Sequence, residues 1–236
     1  MRLIIEQNII TMFPDLRIGI VTARGLDNVG SNEEVELIKQ SAAVALRQNL
    51  STEDLSQHPY ILAWRETYRR FGTKPKDHRP TAEALLRRIL RDGSIPTISK
   101  AVDLYLAVEA EFYLPIGGYD LDKVEGDIAL RLSSGDEPFT PIGALKAEET
   151  TYAGEVIYAD SSKVLTRRWN YRDCDAAKVT PESINLALFC EAPLPEIPTD
   201  HLMKCIDRLT EYLRRFCGGS ISAHFVEAQG QQIQEL

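Results

Sequence analysis

The spacing of apolar residues changes character about halfway along the chain. The opening runs "RLIIEQNII" and "LRIGIVTARGL" are rich in Ile and Val and predict strands. "SNEEVELIKQSAAVALRQNL" then predicts a helix with an apolar stripe through Val35, Ile38, Ala42 and Ala45. Ser31 is placed to cap it and Glu34 to complete a capping box. "HPYILAWRETYRRFGTKPKDHRPTAEALLRRILRDGSIP" predicts two short helices ended by Gly72 and Gly93, because glycine enters the left-handed conformation of a helix end at little steric cost. Thr81, after Pro80, is positioned to cap the second. "SKAVDLYLAVEAEFYLP" predicts a third helix, from a Ser99 cap to a stop at Pro115.

Beyond that point the runs shorten. "GDIALRLS", "GEVIYAD", "VLTRRWNYR" and "NLALFCEA" are β-prone and separated by turn signals such as "SGDE" and "ADSS". One clear helix remains, "TDHLMKCIDRLTEYLRRFCGG", with Leu202, Cys205, Ile206, Leu209, Leu213 and Phe216 on its apolar face and Gly218 as its cap. A strand "SISAHFV" follows it. Helices and strands are mixed without the regular alternation of a doubly wound sheet. The expected class is therefore α+β, with a mixed or antiparallel sheet packed against helices. The expected organisation is an N-terminal section, 1–60, belonging to the same unit as a main domain over 61–226, with a mobile tail over 227–236.

Composition adds limits. The chain has 236 residues, a formal net charge of -8 and an ordinary hydrophobic fraction of 44%. A chain of this length can bury a core without disulfide or metal staples. The four cysteines (Cys174, Cys190, Cys205, Cys217) have irregular gaps and no C-x-x-C, and the histidines lie far from ligand-like spacing. No metal or cofactor is expected, and a reduced, cytoplasmic setting is the simplest expectation. The N-terminus lacks the continuous apolar core of a signal peptide, and no run approaches a membrane span. The acidic balance argues against general nucleic-acid binding and against a DNA partner, while leaving room for a local basic patch.

Two such patches stand out. Arg167 to Arg172 gathers three arginines, a tryptophan, an asparagine and a tyrosine in six residues. Read as one strand, it places Thr166, Arg168, Asn170 and Arg172 on one face and Leu165, Arg167, Trp169 and Tyr171 on the other. The first face suits a carboxylate, a phosphate or a nucleotide edge, since arginine offers bidentate donors and asparagine both donor and acceptor. It is equally the composition of a solvated face paired with some of the 35 acidic residues. The second patch is Arg65, Arg69, Arg70, Lys74, Lys76 and Arg79, beside Tyr68 and Phe71, which suits an RNA backbone or plain solvent. Among carboxylates, Asp120, Glu125, Asp127, Glu155 and Glu191 each qualify as a water-orienting base or as an ordinary turn residue. No G-x-S-x-G serine is present, and "GLDNVGS" lacks a phosphate-loop lysine.

The ordered series "AVDLYLAVEAEFYLPIGGYD", "VEGDIALR", "GDEPF" and a strand ending in Asp160 resembles the B-three/B-four tRNA-binding domain, the editing module of the phenylalanyl-tRNA synthetase β subunit. "WRETYRRFGTKPKDHRPTAEALLRRIL" and "RRWNYRD" resemble segments of free-standing relatives. The resemblance runs from about Ile61 to Pro193. It implies a pocket between sheet and helices in which water attacks the ester of a wrongly charged tRNA, with no cofactor. Three departures follow. A pocket histidine of the module falls at Gly117, beside Gly118. Its glycine-rich wall falls on "LTRRWNYRD". Its substrate-contacting glutamate falls at Phe189, or at Glu191 if two residues are inserted.

The resulting expectation is a tRNA-binding, editing-like domain that hydrolyses misacylated tRNA in trans. Arg167, Arg168, Asn170, Arg172, Gly117 and Gly118 would hold substrate. Glu191 would orient water, and Arg65, Arg69, Lys74, Lys76 and Arg79 would meet the acceptor stem. Such a wall is cationic and predicts a polar or anionic ligand. The alternative is a non-catalytic module that binds an amino acid or anionic metabolite. A general RNA-binding protein is disfavoured by the charge.

Overall fold

The computed structural model describes residues 1–30, 32–146, 149–230 and 232–236. In chain order, β1 (Arg2–Ile5), α1 (Gln7–Met12) and β2 (Arg17–Arg24) lead into a run of helices. These are α2 (Glu33–Asn49), α3 (Thr52–Leu55), α4 (Pro59–Arg70), α5 (Thr81–Asp92) and α6 (Lys100–Phe112). Strands then dominate: β3 (Ile116–Asp120), β4 (Ile128–Leu132), β5 (Pro138–Phe139), β6 (Glu149–Thr150), β7 (Val156–Ala159), β8 (Val164–Arg167), β9 (Arg172–Asp173) and β10 (Leu186–Ala192). The chain ends with α7 (Thr199–Phe216), β11 (Ser220–Glu227) and β12 (Ile233–Glu235). The fold is α+β.

Four strands form an antiparallel sheet in the order β11-β2-β10-β3. Period-two alternation gives each strand two faces. One face packs on α7: the Cys190 and Cys205 sulfurs lie 3.8 Å apart, and a Cβ on Gly19 would stand 2.3 Å from Ile206 Cγ1. The other face carries Gly117, Tyr119, Phe189 and Glu191, and meets a second sheet ordered β12-β1-β4-β7-β8-β9. That sheet is antiparallel except for the parallel β1–β4 pair. The Phe189 and Tyr158 rings, 5.5 Å apart, join the two sheets.

Several local expectations shift. The isoleucines of "QNII" sit in α1 rather than a strand, because Ile9 and Ile10 are buried as helix residues in the main core. Ser31 lies outside the described residues, and Asn32 is the N-cap of α2, its side chain accepting from the Glu34 and Val35 N–H groups. The buried stripe of α2 is Val35, Lys39, Ala43 and Leu46, rotated because Lys39 turns inward to Asp103 at 3.0 Å. Thr81 is the first residue of α5, not its cap, and its hydroxyl donates to the Asn170 carbonyl. Gly93 ends α5 with a φ of 78°, as the sequence predicts. The segment read as a mobile tail carries β12, paired to β1 from Arg2↔Glu235 to Ile4↔Ile233. Within the described residues no helix is long and apolar enough to cross a membrane.

Candidate functional site

The run Arg167 to Arg172 is a hairpin tip, not one strand. β8 ends at Arg167, the chain turns through 168–171, and β9 starts at Arg172. Arg168 and Trp169 have φ of 47° and 67°, in the left-handed region that costs ordinary residues roughly 1–2 kcal/mol each. Packing holds this conformation. Trp169 is buried with its ring centroid 4.9 Å from Phe13 and 5.5 Å from Trp64, and its backbone N–H donates to the Val156 carbonyl at 2.7 Å. Strained backbone over-determined by its surroundings is a recurrent mark of binding sites. The turn removes the expected polar face.

The arginines are redistributed accordingly. Arg167 is buried in a fork with Glu155 (2.9 and 2.8 Å) and also reaches Glu149 at 2.6 Å. Arg172 is about half exposed and pairs with Glu149 at 2.7 Å. Arg168 is buried, and among the described residues its side chain meets no carboxylate; its guanidinium lies 5.2 Å from the Tyr171 ring and 5.9 Å from the Tyr152 ring. The expected cationic wall is corrected on this point. Arg167, Arg168 and Arg172 are absent from the lining of the cavity: two answer acidic neighbours and the third lies beside the Tyr152 and Tyr171 rings.

The cavity itself encloses about 90 Å³ between α6, β3, β10 and the hairpin. That is well below the ~300–1,000 Å³ of drug-sized sites, so it admits a group of a few heavy atoms. Asn170, Gly117 and Glu191 do meet there. They are joined by Glu109, Asp173, Thr166 and the hydroxyl-bearing Tyr105, Tyr119 and Tyr158. No lysine, arginine or histidine lines it.

Its carboxylates are perturbed by burial. Burial raises Glu191 to about 7, against the opposing pull of the Tyr158 hydroxyl (2.7 Å) and the Trp169 indole. The indole N–H makes no well-formed hydrogen bond. Burial raises Asp173 to about 6, opposed by the Thr166 hydroxyl at 2.6 Å. Glu109 is pushed well above the usual carboxylate range by burial, with only the Ile116 N–H opposing. Glu109 Oε1 and Asn170 Nδ2 are buried without hydrogen-bond partners among the described residues. Asn170 Oδ1 is occupied, accepting from the Tyr68 hydroxyl at 2.6 Å and the Thr81 N–H at 3.4 Å. The amide NH₂ is left as an unused donor.

The remaining expected residues separate. Gly117 borders the cavity, and a Cβ there would meet nothing within 4 Å. Gly118 points the other way, where a Cβ would stand 2.4 Å from the Ala187 carbonyl oxygen, so it serves close strand packing. Glu155 and Asp127 are engaged by Arg167 and Arg2. Asp120 accepts from Ser183 at 2.6 Å, and Glu125 is exposed. Arg65, Arg69, Lys74, Lys76 and Arg79, together with Arg87, line an open groove of about 670 Å³ between α4 and α5. Sequence reasoning missed Glu109 and Asp173. The signal for Glu109 is a charged residue within the otherwise apolar run "YLAVEA" of α6. For Asp173 it is the residue that follows Arg172. Another hollow of about 630 Å³, between α2, α6 and α7, has mostly aliphatic and aromatic walls and no comparable group of buried carboxylates.

Fold and cavity together define an α+β domain with a small acidic pocket between two sheets and a helix. The sequence profile of the B3/4 domain matches residues 63–218, and the chain belongs to that family. A solved N-terminal fragment of the phenylalanyl-tRNA synthetase β-subunit from Pyrococcus horikoshii is similar at 14% identity and a TM-score of 0.45. The match covers 93% of this chain and 49% of that one, so the chain spans about half the length of that fragment. No curated protein sequence matches.

Proposed function

We propose that the cavity binds the aminoacyl group of an aminoacyl ester, as carried on a misacylated tRNA, and that the protein hydrolyses the ester. The observation that carries this is the cavity's lining: buried Glu109 and Glu191 and partly buried Asp173, with no cation among the lining residues. Such a site calls for a ligand that brings an ammonium group. A free amino acid also brings a carboxylate. At about 5 Å from an ionised carboxylate and an effective dielectric of about 20, that repulsion is of order 3 kcal/mol, or about a hundredfold in affinity. An ester lacks this second charge. The site therefore favours the esterified amino acid, in place of the anionic ligand expected from the arginines.

The groups divide by environment, as paired carboxylates with separated ionisation do. Asp173, at about 6, is mostly ionised at neutral pH and takes the ammonium. Glu191, at about 7, is poised to accept a proton from water. Water oxygen bonds to the ester carbonyl carbon as its proton passes to Glu191. The Asn170 NH₂, buried and unpartnered, donates to the developing oxyanion. The C–O bond to the alcohol then breaks, and the proton on Glu191 passes to the leaving oxygen. The products are a free amino acid, which the acidic walls disfavour, and an alcohol.

The test is a deacylation panel of correctly and wrongly charged tRNAs, with Glu191→Gln and Asn170→Ala beside the wild type. The expected result is loss of at least one charged species, slowed on the order of 10²–10⁴-fold by Glu191→Gln. No turnover on any species would overturn the hydrolytic reading.

A further inference from the structure

We propose that the cavity selects esters of the smallest amino acids, serine first among them, and excludes aromatic and larger aliphatic side chains. This rests on the ester reading above and names its substrate class. The first observation is size. A dry cavity of about 150 Å³ holds one benzene ring, about six heavy atoms. By the same measure a cavity of about 90 Å³ takes about four. The ammonium nitrogen and Cα fill about half of that room, because the ester carbonyl faces the leaving alcohol. About two heavy atoms remain for the side chain, which admits glycine, alanine and serine and leaves no place for a phenyl or phenol ring.

The walls that set this limit are locked. Phe189 stands across from Gly117 in the β10–β3 register, and its ring lies 5.5 Å from Tyr158 and 5.8 Å from Tyr119. Both tyrosines are tied at their hydroxyls. Tyr158 donates to Glu191 at 2.7 Å. Tyr119 donates to the Thr166 hydroxyl at 2.5 Å, which donates in turn to Asp173 at 2.6 Å. Swinging either ring aside for a larger ligand breaks a buried hydrogen bond and strands its partner. Open space remains at Gly117, where a Cβ would meet nothing within 4 Å. Tyr119, Tyr158, Phe189 and the missing Cβ of Gly117 are therefore the specificity-determining features.

Glu109 separates serine from alanine. It lines the cavity and is fully buried, and its Oε2 accepts from the Ile116 N–H at 3.4 Å. Its Oε1 has no hydrogen-bond partner among the described residues, and the hydrolytic steps leave it unused. A buried polar atom without a partner is costly, so a ligand that brings one is favoured. A serine hydroxyl both donates and accepts and so suits this carboxyl whether or not it carries its proton, whereas alanine leaves Oε1 stranded.

The experiment is calorimetric binding of glycinamide, alaninamide, serinamide, leucinamide and phenylalaninamide to the full chain, beside hydrolysis of the matching methyl esters. Serinamide is expected to bind at least ~10-fold more tightly than alaninamide and at least ~100-fold more tightly than phenylalaninamide. Glu109→Met is expected to erase the preference for serine over alanine and to keep the size limit. Gly117→Ala, whose added methyl meets no protein atom, is expected to weaken serinamide by at least ~10-fold more than glycinamide. Phe189→Ala is expected to admit leucinamide, with a thermal melt to show that it folds; should it not fold, Gly117→Ala carries the size test. Leucinamide or phenylalaninamide binding wild type as tightly as alaninamide would overturn the proposal, as would the binding of no amide at all. Equal binding of serinamide and alaninamide would remove the preference for serine. Tight binding of the small amides without hydrolysis of their esters would sink the hydrolytic reading and leave the size selection standing.

Discussion

The Tyr68 hydroxyl of α4 donates a 2.6 Å hydrogen bond to Oδ1 of Asn170 at the hairpin tip, 102 residues along the chain. With Oδ1 taken by Tyr68 and Thr81, the amide has only its NH₂ free to act in the cavity. Helices α4 and α5 thereby set the orientation of a group that the strands deliver.

Tyr68→Phe therefore separates positioning from folding. Loss of one buried hydrogen bond is expected to cost about 1 kcal/mol of stability. The freed amide can then rotate, so kcat is expected to fall about tenfold with KM nearly unchanged, since oxyanion contacts act in the transition state. Denaturant melts beside steady-state deacylation check both.

The two adjacent glycines should behave oppositely. Gly117→Leu projects into the cavity and is expected to abolish turnover while the melting temperature holds. Gly118→Ala meets the Ala187 carbonyl oxygen and is expected to lose about 1–3 kcal/mol through overpacking. Thermal melts of both variants, with activity on one ester, decide this.

Activity and stability should respond to pH in opposite directions. Glu191 must be ionised to accept a proton, so kcat/KM is expected to rise with pH to half its plateau near 7. Glu191 and Asp173 both lie above their unfolded values, so between about pH 4 and 7 the folded state binds more protons than the unfolded state. Their contribution to stability is full below the unfolded pKa and is lost as pH rises through 6 and 7. Glu191→Gln is expected to flatten both profiles, as read by a pH series of rates and of urea midpoints.

Arg167 and Arg172 should differ despite sharing Glu149. Arg167→Met strands buried Glu155 and is expected to cost about 3–5 kcal/mol. Arg172→Ala removes an exposed pair and is expected to cost less than about 1 kcal/mol. Neither change should alter which charged tRNA is deacylated, a point the deacylation panel checks.

The larger architecture was legible because period and turn chemistry state it: the α2 helix, the Gly93 stop, the β10 strand and the apolar face of α7 all follow from local pattern. The hairpin tip was not. Read locally, "RRWNYR" is β-prone, and only the burial of Trp169 against Phe13 and Trp64 bends it into left-handed backbone. That tertiary effect also decided the site's charge. Asn170 and Glu191 could be named from residue type, but the arginines beside Asn170 turned to Glu155, Glu149 and two tyrosine rings. Glu109 and Asp173 were hidden because a carboxylate's partner, or its lack of one, is a property of the fold.

On this reading the cavity takes an ammonium group without a carboxylate. The most direct measurement is calorimetric binding of a panel of amino-acid amides, which mimic the ester, against the corresponding free amino acids, on wild type and Asp173→Asn. At least one amide is expected to bind about a hundredfold more tightly than its free acid, with that affinity lost in Asp173→Asn. Free amino acids binding as tightly as their amides, or an amide affinity indifferent to Asp173, would contradict it.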